Sequence, residues 1–214
     1  MTAGMTPDLS LYLVTDPHLL RGRNLIDTCE AAVAGGVTLV QLRDKTAEAR
    51  DLLEMARGLT ARLAPHGVPV IVNDRVDVAA AAGCGCHLGQ RDVPLAAARA
   101  ILGPDAVIGV SVSTVAQARE AAAATYLAPS PVFATTTRSS SADPLGISGL
   151  KAIVQATDHP VVAIGGISLD NAEAIGRTGA AGLATITALM RTPDIGAAAG
   201  ALRRAFAAGR ARRA

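Results

Sequence analysis

Gln41, Arg43 and Lys45 alternate at the end of an apolar run, so an extended chain points one amide and two cations to the same side. Such a trio suits an anion with several oxygens. A second polar segment, Asn73-Asp74-Arg75, ends the run Val68-Pro69-Val70-Ile71-Val72, and Asp92 follows the next strand-like stretch. Adjacent strands would bring the two carboxylates together, where they repel unless a proton or cation lies between them. Oxygen-only ligands point to Mg²⁺, which commonly combines one or two carboxylates with water and substrate phosphate. Pairing of Asp74 with Arg75, and capping by Asp92 of a helix starting near Pro94, are competing local readings of equal weight.

Further along, Ala163-Ile164-Gly165-Gly166-Ile167 and Gly182-Leu183-Ala184-Thr185-Ile186-Thr187 close two more strand-like segments. Glycine there exposes backbone N–H groups, the usual means of binding phosphate beside a short helix N-terminus. A tight turn without a ligand is the alternative. A cationic cluster, a divalent ion and a separate phosphate cradle imply two anionic substrates or one long one, and that pairing suggests a transferase.

These groups need a frame that collects strand ends on one rim. Strand-like stretches are expected at Leu11 to Thr15, Thr38 to Leu42, Val68 to Val72, Cys86 to Leu88, Val107 to Val112, Tyr126 to Ala128, Val161 to Ile164 and Gly182 to Ala184. Helices are expected between them at Asn24 to Ala34, Ala47 to Leu63, Val76 to Ala82, Leu95 to Leu102, Val115 to Ala124, Ser148 to Ala156, Leu169 to Arg177 and Asp194 to Ala208. Gly35-Gly36 closes the first helix, Ser113 or Thr114 can cap the fifth and Ser168 the seventh. Eight alternating units predict an α/β protein built as a (β/α)8 TIM barrel, whose chemistry sits at the C-terminal ends of its strands. An open doubly wound sheet loses weight because the first strand ends in Thr15-Asp16-Pro17 and not in a Gly-x-Gly-x-x-Gly turn. The long Ser/Thr-rich connection from Pro129 to Gly149 reads as a lid on the same rim.

At 214 residues the chain fits one such domain, with a short N-terminal extension (1–8) and a basic C-terminal tail (209–214). Half the residues are apolar but only 2% are aromatic, so many small side chains must close the core. The formal charge is +2, and setting aside Arg203, Arg204, Arg210, Arg212 and Arg213 leaves 15 basic against 18 acidic residues, or −3. That body offers no broad basic face to nucleic acid, and the tail reads as the solvated, frayed end of the last helix. Three cysteines, Cys29, Cys84 and Cys86, with no secretory pattern in Met1 to Asp8, suggest a reduced, cytoplasmic setting. In Cys84-Gly85-Cys86-His87, alternation turns His87 away from Cys86, so small buried thiols are preferred over a zinc site. No apolar stretch is long enough to suggest a membrane span.

The ordered series Gln41-Leu42-Arg43-Asp44-Lys45, Val72-Asn73-Asp74-Arg75, His87-Leu88-Gly89-Gln90-Arg91-Asp92, Ile108-Gly109-Val110-Ser111, Pro131-Val132-Phe133 and Ala163-Ile164-Gly165-Gly166-Ile167 resembles the thiamine phosphate synthase family, from about Leu11 to about Ala208. The resemblance implies a barrel that joins 4-amino-2-methyl-5-hydroxymethylpyrimidine diphosphate to a thiazole ethyl phosphate with loss of diphosphate. It implies a dissociative route with Mg²⁺ as cofactor, and allows a homodimer. It further implies that Gln41, Leu42, Arg43, Asp44, Lys45, Asn73, Ser111 and Arg138 contact the pyrimidine diphosphate, with Arg43, Lys45, Ser111 and Arg138 as the catalytic groups. Asp74 and Asp92 would hold the metal, and Thr135, Thr136, Thr137, Gly166, Ile186 and Thr187 the thiazole phosphate.

Departures from the family pattern are Arg138 for Lys, Ser130-Pro131 for Gly-Pro, Ala134 for Pro and Cys84-Gly85-Cys86 for Asp-Gly-Val. Ser113 stands where relatives often place His. A thiazole tautomerase of the same superfamily is the alternative, disfavoured by the retained Asp74 and the absent His. A non-catalytic phosphate-ligand sensor is a third reading.

Overall fold

Short runs that are buried on both faces can pair only with one another, and helices must cover them. The computed structural model describes residues 7–135 and 143–213 and shows that arrangement. Strands β1 (Leu11–Val14), β2 (Leu39–Leu42), β3 (Val70–Asn73), β4 (Gly85–Leu88), β5 (Ile108–Val112), β6 (Tyr126–Pro129), β7 (Val162–Ile164) and β8 (Gly182–Thr185) lie in one parallel sheet ordered β6-β5-β4-β3-β2-β1-β8-β7. The ring closes between β6 and β7 through a parallel bridge, Leu127 to Val161, where Leu127 N–H donates to the Pro160 carbonyl at 2.9 Å.

Around the ring run α1 (Leu25–Ala34), α2 (Ala49–Leu63), α3 (Val76–Ala82), α4 (Leu95–Leu102), α5 (Val115–Glu120), α6 (Gly146–Gln155), α7 (Leu169–Gly176), α8 (Thr187–Met190) and α9 (Ile195–Ala211). Asn24 Oδ1 caps α1 by accepting from Ile26 and Asp27 N–H, and Thr114 rather than Ser113 caps α5 by accepting from Gln117 N–H at 3.2 Å. Helix α5 ends at Glu120, four residues short of the expected limit, despite the good helix propensity of the alanines beyond it. The chain must turn there so that Thr125 N–H can reach the Ile108 carbonyl, at 2.7 Å, and start β6. The four residues of α8 are too few to show a helical period in the sequence.

Strand alternation divides the apolar side chains between two cores. Leu11, Leu13, Val40, Leu42, Val70 and Val72 pack outward under the helices, whereas Tyr12, Val14, Leu39, Ile71, Tyr126, Ala128, Val162 and Ala184 fill the barrel. The chain's two tyrosines both lie inside, edge to face with ring centroids 5.9 Å apart. Small residues do the rest: a Cβ on Gly209 would stand 2.0 Å from the Glu173 carbonyl oxygen, so α7 and α9 approach almost backbone to backbone.

The basic C-terminal end is exposed, as expected, but helical where fraying was expected. Helix α9 continues to Ala211, and Arg212 Nη1 lies 2.7 Å from Glu173 Oε1 on α7. The cysteines are free, with Cys29 and Cys86 buried and Cys84 partly so. Burial pushes the Cys29 and Cys86 thiols up to about 12. Cys86 belongs to the outer core and His87 points into the barrel, as alternation requires.

Candidate active site

At the C-terminal rim the strand ends surround a cleft of about 730 Å³, lined among others by Gln41, Arg43 and Lys45 from β2 and its exit. Asn73 and Asp74 follow from β3, His87 from β4, Ser111 from β5, and Thr135 from the connection after β6. Gly165, Gly166, Ile186 and Thr187 complete it from β7 and β8. The ring order puts β3 across the barrel from β7, so the charged cluster faces the glycine turn.

Each charged group is held by a local device. Arg43 N–H donates to Thr15 Oγ1 at 2.9 Å, and Arg43 Nη1 lies 3.9 Å from Asp16 Oδ2, so the loop after β1 fixes the guanidinium. Lys45 Nζ is 3.6 Å from Asp74 Oδ2. Asp74 itself stands at φ 63, a left-handed conformation that a non-glycine residue adopts only when the surroundings impose it. Its N–H donates to the His87 carbonyl at 2.8 Å, which ties the exit of β3 to β4.

Burial, and then the neighbouring Asp92 carboxyl, raise the Asp74 carboxyl above the usual carboxylate range, and Lys45 only partly offsets them. Asp92 Oδ2 accepts from Gly89 N–H at 2.6 Å, while α4 begins after Pro94 without a side-chain cap. Arg75 turns to Asp77, with Nη2 2.6 Å from Oδ2, and leaves Asp74 to the cleft. Neither local alternative for the two aspartates is therefore realised.

Two carboxyls that repel in the absence of a cation, with oxygen donors only, fit a divalent ion such as Mg²⁺. Among the described residues no three His, Cys, Asp or Glu side chains cluster as ligands, so an ion there would complete its shell with water and phosphate oxygen.

Not every expected contact residue reaches the cleft. Leu42 is in the outer core, and Asp44 Oδ1 accepts from Thr46 N–H and Oγ1 and from Ala47 N–H, an Asx turn leading toward α2. Asp92 borders the cleft through Asp74 and also lines a shallower cavity beside α4 and α5. Thr136, Thr137 and Arg138 lie outside the described residues, as does the middle of the expected lid. Ser113 Oγ donates to the Ser130 carbonyl at 3.0 Å, bracing the exits of β5 and β6.

The glycine turn is braced from both sides. Gly165 and Gly166 have φ 97 and 65, Phe133 N–H donates to the Gly165 carbonyl at 2.9 Å, and Asn171 Nδ2 donates to the Gly166 carbonyl at 2.9 Å. His87, which lines the cleft, and Tyr12, which accepts from Gln41 inside the barrel, have no role in the sequence reading. Strand alternation alone could have placed them there, because it sends Tyr12, Gln41 and His87 to the barrel interior.

Residues 11–189 match the family described as thiamine monophosphate synthase. The chain belongs to that family. Among relatives of the thiamine monophosphate synthase family, it is 49% identical over 199 residues to the thiamine-phosphate synthase of Azorhizobium caulinodans, covering 92% of this chain and 94% of the relative. It is 48% identical over 189 residues to that of Albidiferax ferrireducens, covering 87% and 86%. The solved thiamine phosphate pyrophosphorylase of Pyrococcus furiosus superposes with a TM-score of 0.85 at 36% identity, over 94% of this chain and 96% of that one.

Proposed function

We propose that the chain is a cytoplasmic thiamine-phosphate synthase that joins the pyrimidine diphosphate to the thiazole phosphate by a dissociative route. The observation that carries this reading is the placement, within one cleft, of Arg43, Lys45 and Asp74, the last backed by Asp92, opposite the Gly165-Gly166 turn and Thr187. One side suits a diphosphate, the other a phosphate monoester.

The C–O bond to diphosphate breaks first, its electron pair leaving on oxygen. The pyrimidinylmethyl cation, stabilised by the 4-amino group, is captured by the lone pair of the thiazole nitrogen. No side-chain nucleophile is needed. The burden is electrostatic: a leaving diphosphate gathers about three negative charges, and one cation at about 4 Å supplies only about 4 kcal/mol per charge pair at an effective dielectric near 20. Arg43 and Lys45 together hold the departing group, and Arg138 is assigned to the same task. Asp74 and Asp92 would hold Mg²⁺, which when bound adds fixed positive charge beside the diphosphate. Among the described residues no helix is long and apolar enough to cross a membrane.

The test is to mix the two substrates with and without Mg²⁺ and measure thiamine phosphate and diphosphate. Equal yields of both, lost on chelation, are expected. Thiazole phosphate binding without diphosphate release overturns the reading.

Arg23 ties the segment before α1 to the end of α8. Its guanidinium donates from Nε to the Leu20 carbonyl at 3.0 Å, from Nη1 to Thr192 at 3.0 Å, and from Nη2 to Leu19 at 3.2 Å and to Met190. It thereby clamps the far end of α8, whose first residue, Thr187, lines the cleft. Arg23→Ala leaves several carbonyls without that charged donor, and a stability loss of about 2–3 kcal/mol is expected in urea unfolding. Affinity for thiazole phosphate should fall more than affinity for the pyrimidine diphosphate, as titration calorimetry would show.

A further inference from the structure

Five polar side chains form a continuous chain through the barrel. Gln41 Nε2 donates to Tyr12 Oη, and Tyr12 Oη lies 3.0 Å from Tyr126 Oη. Tyr126 Oη lies 2.9 Å from His87 Nδ1, and His87 Nε2 lies 3.0 Å from Ser111 Oγ. Tyr12 and Tyr126 are 1% and 0% exposed, so the two phenols are closed to bulk water, while Gln41, His87 and Ser111 line the cleft. Space for it is reserved: a Cβ on Gly109 would stand 2.1 Å from Tyr126 Cζ.

Only one direction leaves each buried hydroxyl with a partner for its hydrogen. An amide nitrogen donates and does not accept, so the Tyr12 oxygen accepts from Gln41 and has its single hydrogen left for Tyr126. Tyr126 in turn passes its own hydrogen to His87 Nδ1. That fixes the neutral imidazole tautomer with hydrogen on Nε2, which donates to Ser111 Oγ. Burial raises both phenols above their ordinary value, so each keeps the hydrogen this requires.

Two consequences appear at the ends. With its nitrogen engaged, Gln41 has its Oε1 left as an acceptor. With its oxygen already accepting from His87, Ser111 has its O–H left as a donor to the cleft.

We propose that Tyr12, Tyr126 and His87 are positioning residues that set this polarity, so that the cleft selects a pyrimidine bearing an exocyclic amine over the same ring bearing an exocyclic oxygen. An amine donates to Gln41 Oε1; a carbonyl there would face a second acceptor. This rests on the functional reading above, since it concerns the pyrimidine end of that site. The relay contributes nothing to the thiazole end, which β7 and β8 build.

The experiment measures dissociation constants, in the absence of thiazole phosphate, for the 4-amino pyrimidine diphosphate and its 4-oxo analogue. It compares the parent protein with Tyr126→Phe, Tyr12→Phe, His87→Leu and His87→Gln. The parent should prefer the amine, and both Phe variants and His87→Leu should lose about tenfold or more of that preference. His87→Gln, whose amide can accept from Tyr126 and donate to Ser111, should recover most of it. Affinities for thiazole phosphate and inorganic diphosphate should stay within about twofold in every variant.

A preference unchanged in both Phe variants, or lost only in step with thiazole phosphate affinity, overturns the relay. A parent that binds neither pyrimidine fails the functional reading and the relay with it. A parent that prefers the amine, with variants that keep the preference, fails the relay alone.

Discussion

Asp74→Asn is expected to lower kcat by about a thousandfold or more, roughly 4 kcal/mol of transition-state stabilisation, while affinity for thiazole phosphate stays within about threefold of the parent. Asn is the informative substitution because Asp74 sits at φ 63, a conformation that Asn tolerates and Ala does not, so the charge is removed without new backbone strain. The proposed phosphate end is spared because Gly165-Gly166 and Thr187 lie across the barrel.

Stability should move the other way. The Asp74 carboxyl is raised by burial and by Asp92, so its ionised form is disfavoured in the folded protein. An acid with a raised folded pKa destabilises fully once the pH exceeds that value, and not at all below its unfolded value. Metal-free Asp74→Asn should thus melt above the parent at neutral pH, and the gap should close as the pH falls through the carboxylate range. Added Mg²⁺ should raise the melting temperature of the parent and not of the variant. Unchanged turnover in Asp74→Asn would remove the metal assignment, and a lower melting point at neutral pH would remove the repulsion assigned to the pair.

Alternation carried most of what the sequence made legible. Val70, Ile71 and Val72 read as a strand buried on both faces, and the structure sends Val70 and Val72 to the outer core and Ile71 inward. The same period placed Gln41, Arg43 and Lys45 on one rim. It stops working where the chain leaves the strand. Asp44 turns back to cap Thr46 and Ala47, and Arg75 pairs with Asp77; both are choices among nearby partners that no periodicity ranks. The Tyr12–Tyr126 pairing spans 114 positions and depends on barrel closure, so neither residue signals it alone. Leu42 shows the limit of transfer by motif: it belongs to a recognisable segment, yet its side chain serves the packing under the helices.

Gly166→Ala should raise KM for thiazole phosphate by about thirtyfold or more and cost about 1–3 kcal/mol of stability, with KM for the pyrimidine diphosphate much less affected. A Cβ on Gly166 would lie 2.5 Å from the Ala134 carbonyl oxygen and 2.7 Å from Phe133 Cβ, contacts with the connection after β6 and not with a yielding side-chain tip. That connection is itself pinned to the turn, with Val132 N–H on the Ile164 carbonyl and Phe133 N–H on the Gly165 carbonyl, each at 2.9 Å. Neither side can move without the other, so the collision displaces both the glycine N–H groups and Thr135, which together border the end of the cleft proposed for phosphate. Gly67→Ala separates this from simple backbone strain. Gly67 has nearly the same φ, 67 against 65, but nothing within 4 Å of a Cβ, and it stands just before β3, at the opposite end of that strand from the cleft. It should lose about 1 kcal/mol and leave both KM values unchanged. Equal kinetic damage from the two substitutions would mean that the turn matters only as folded backbone, and the phosphate assignment on β7 would fall.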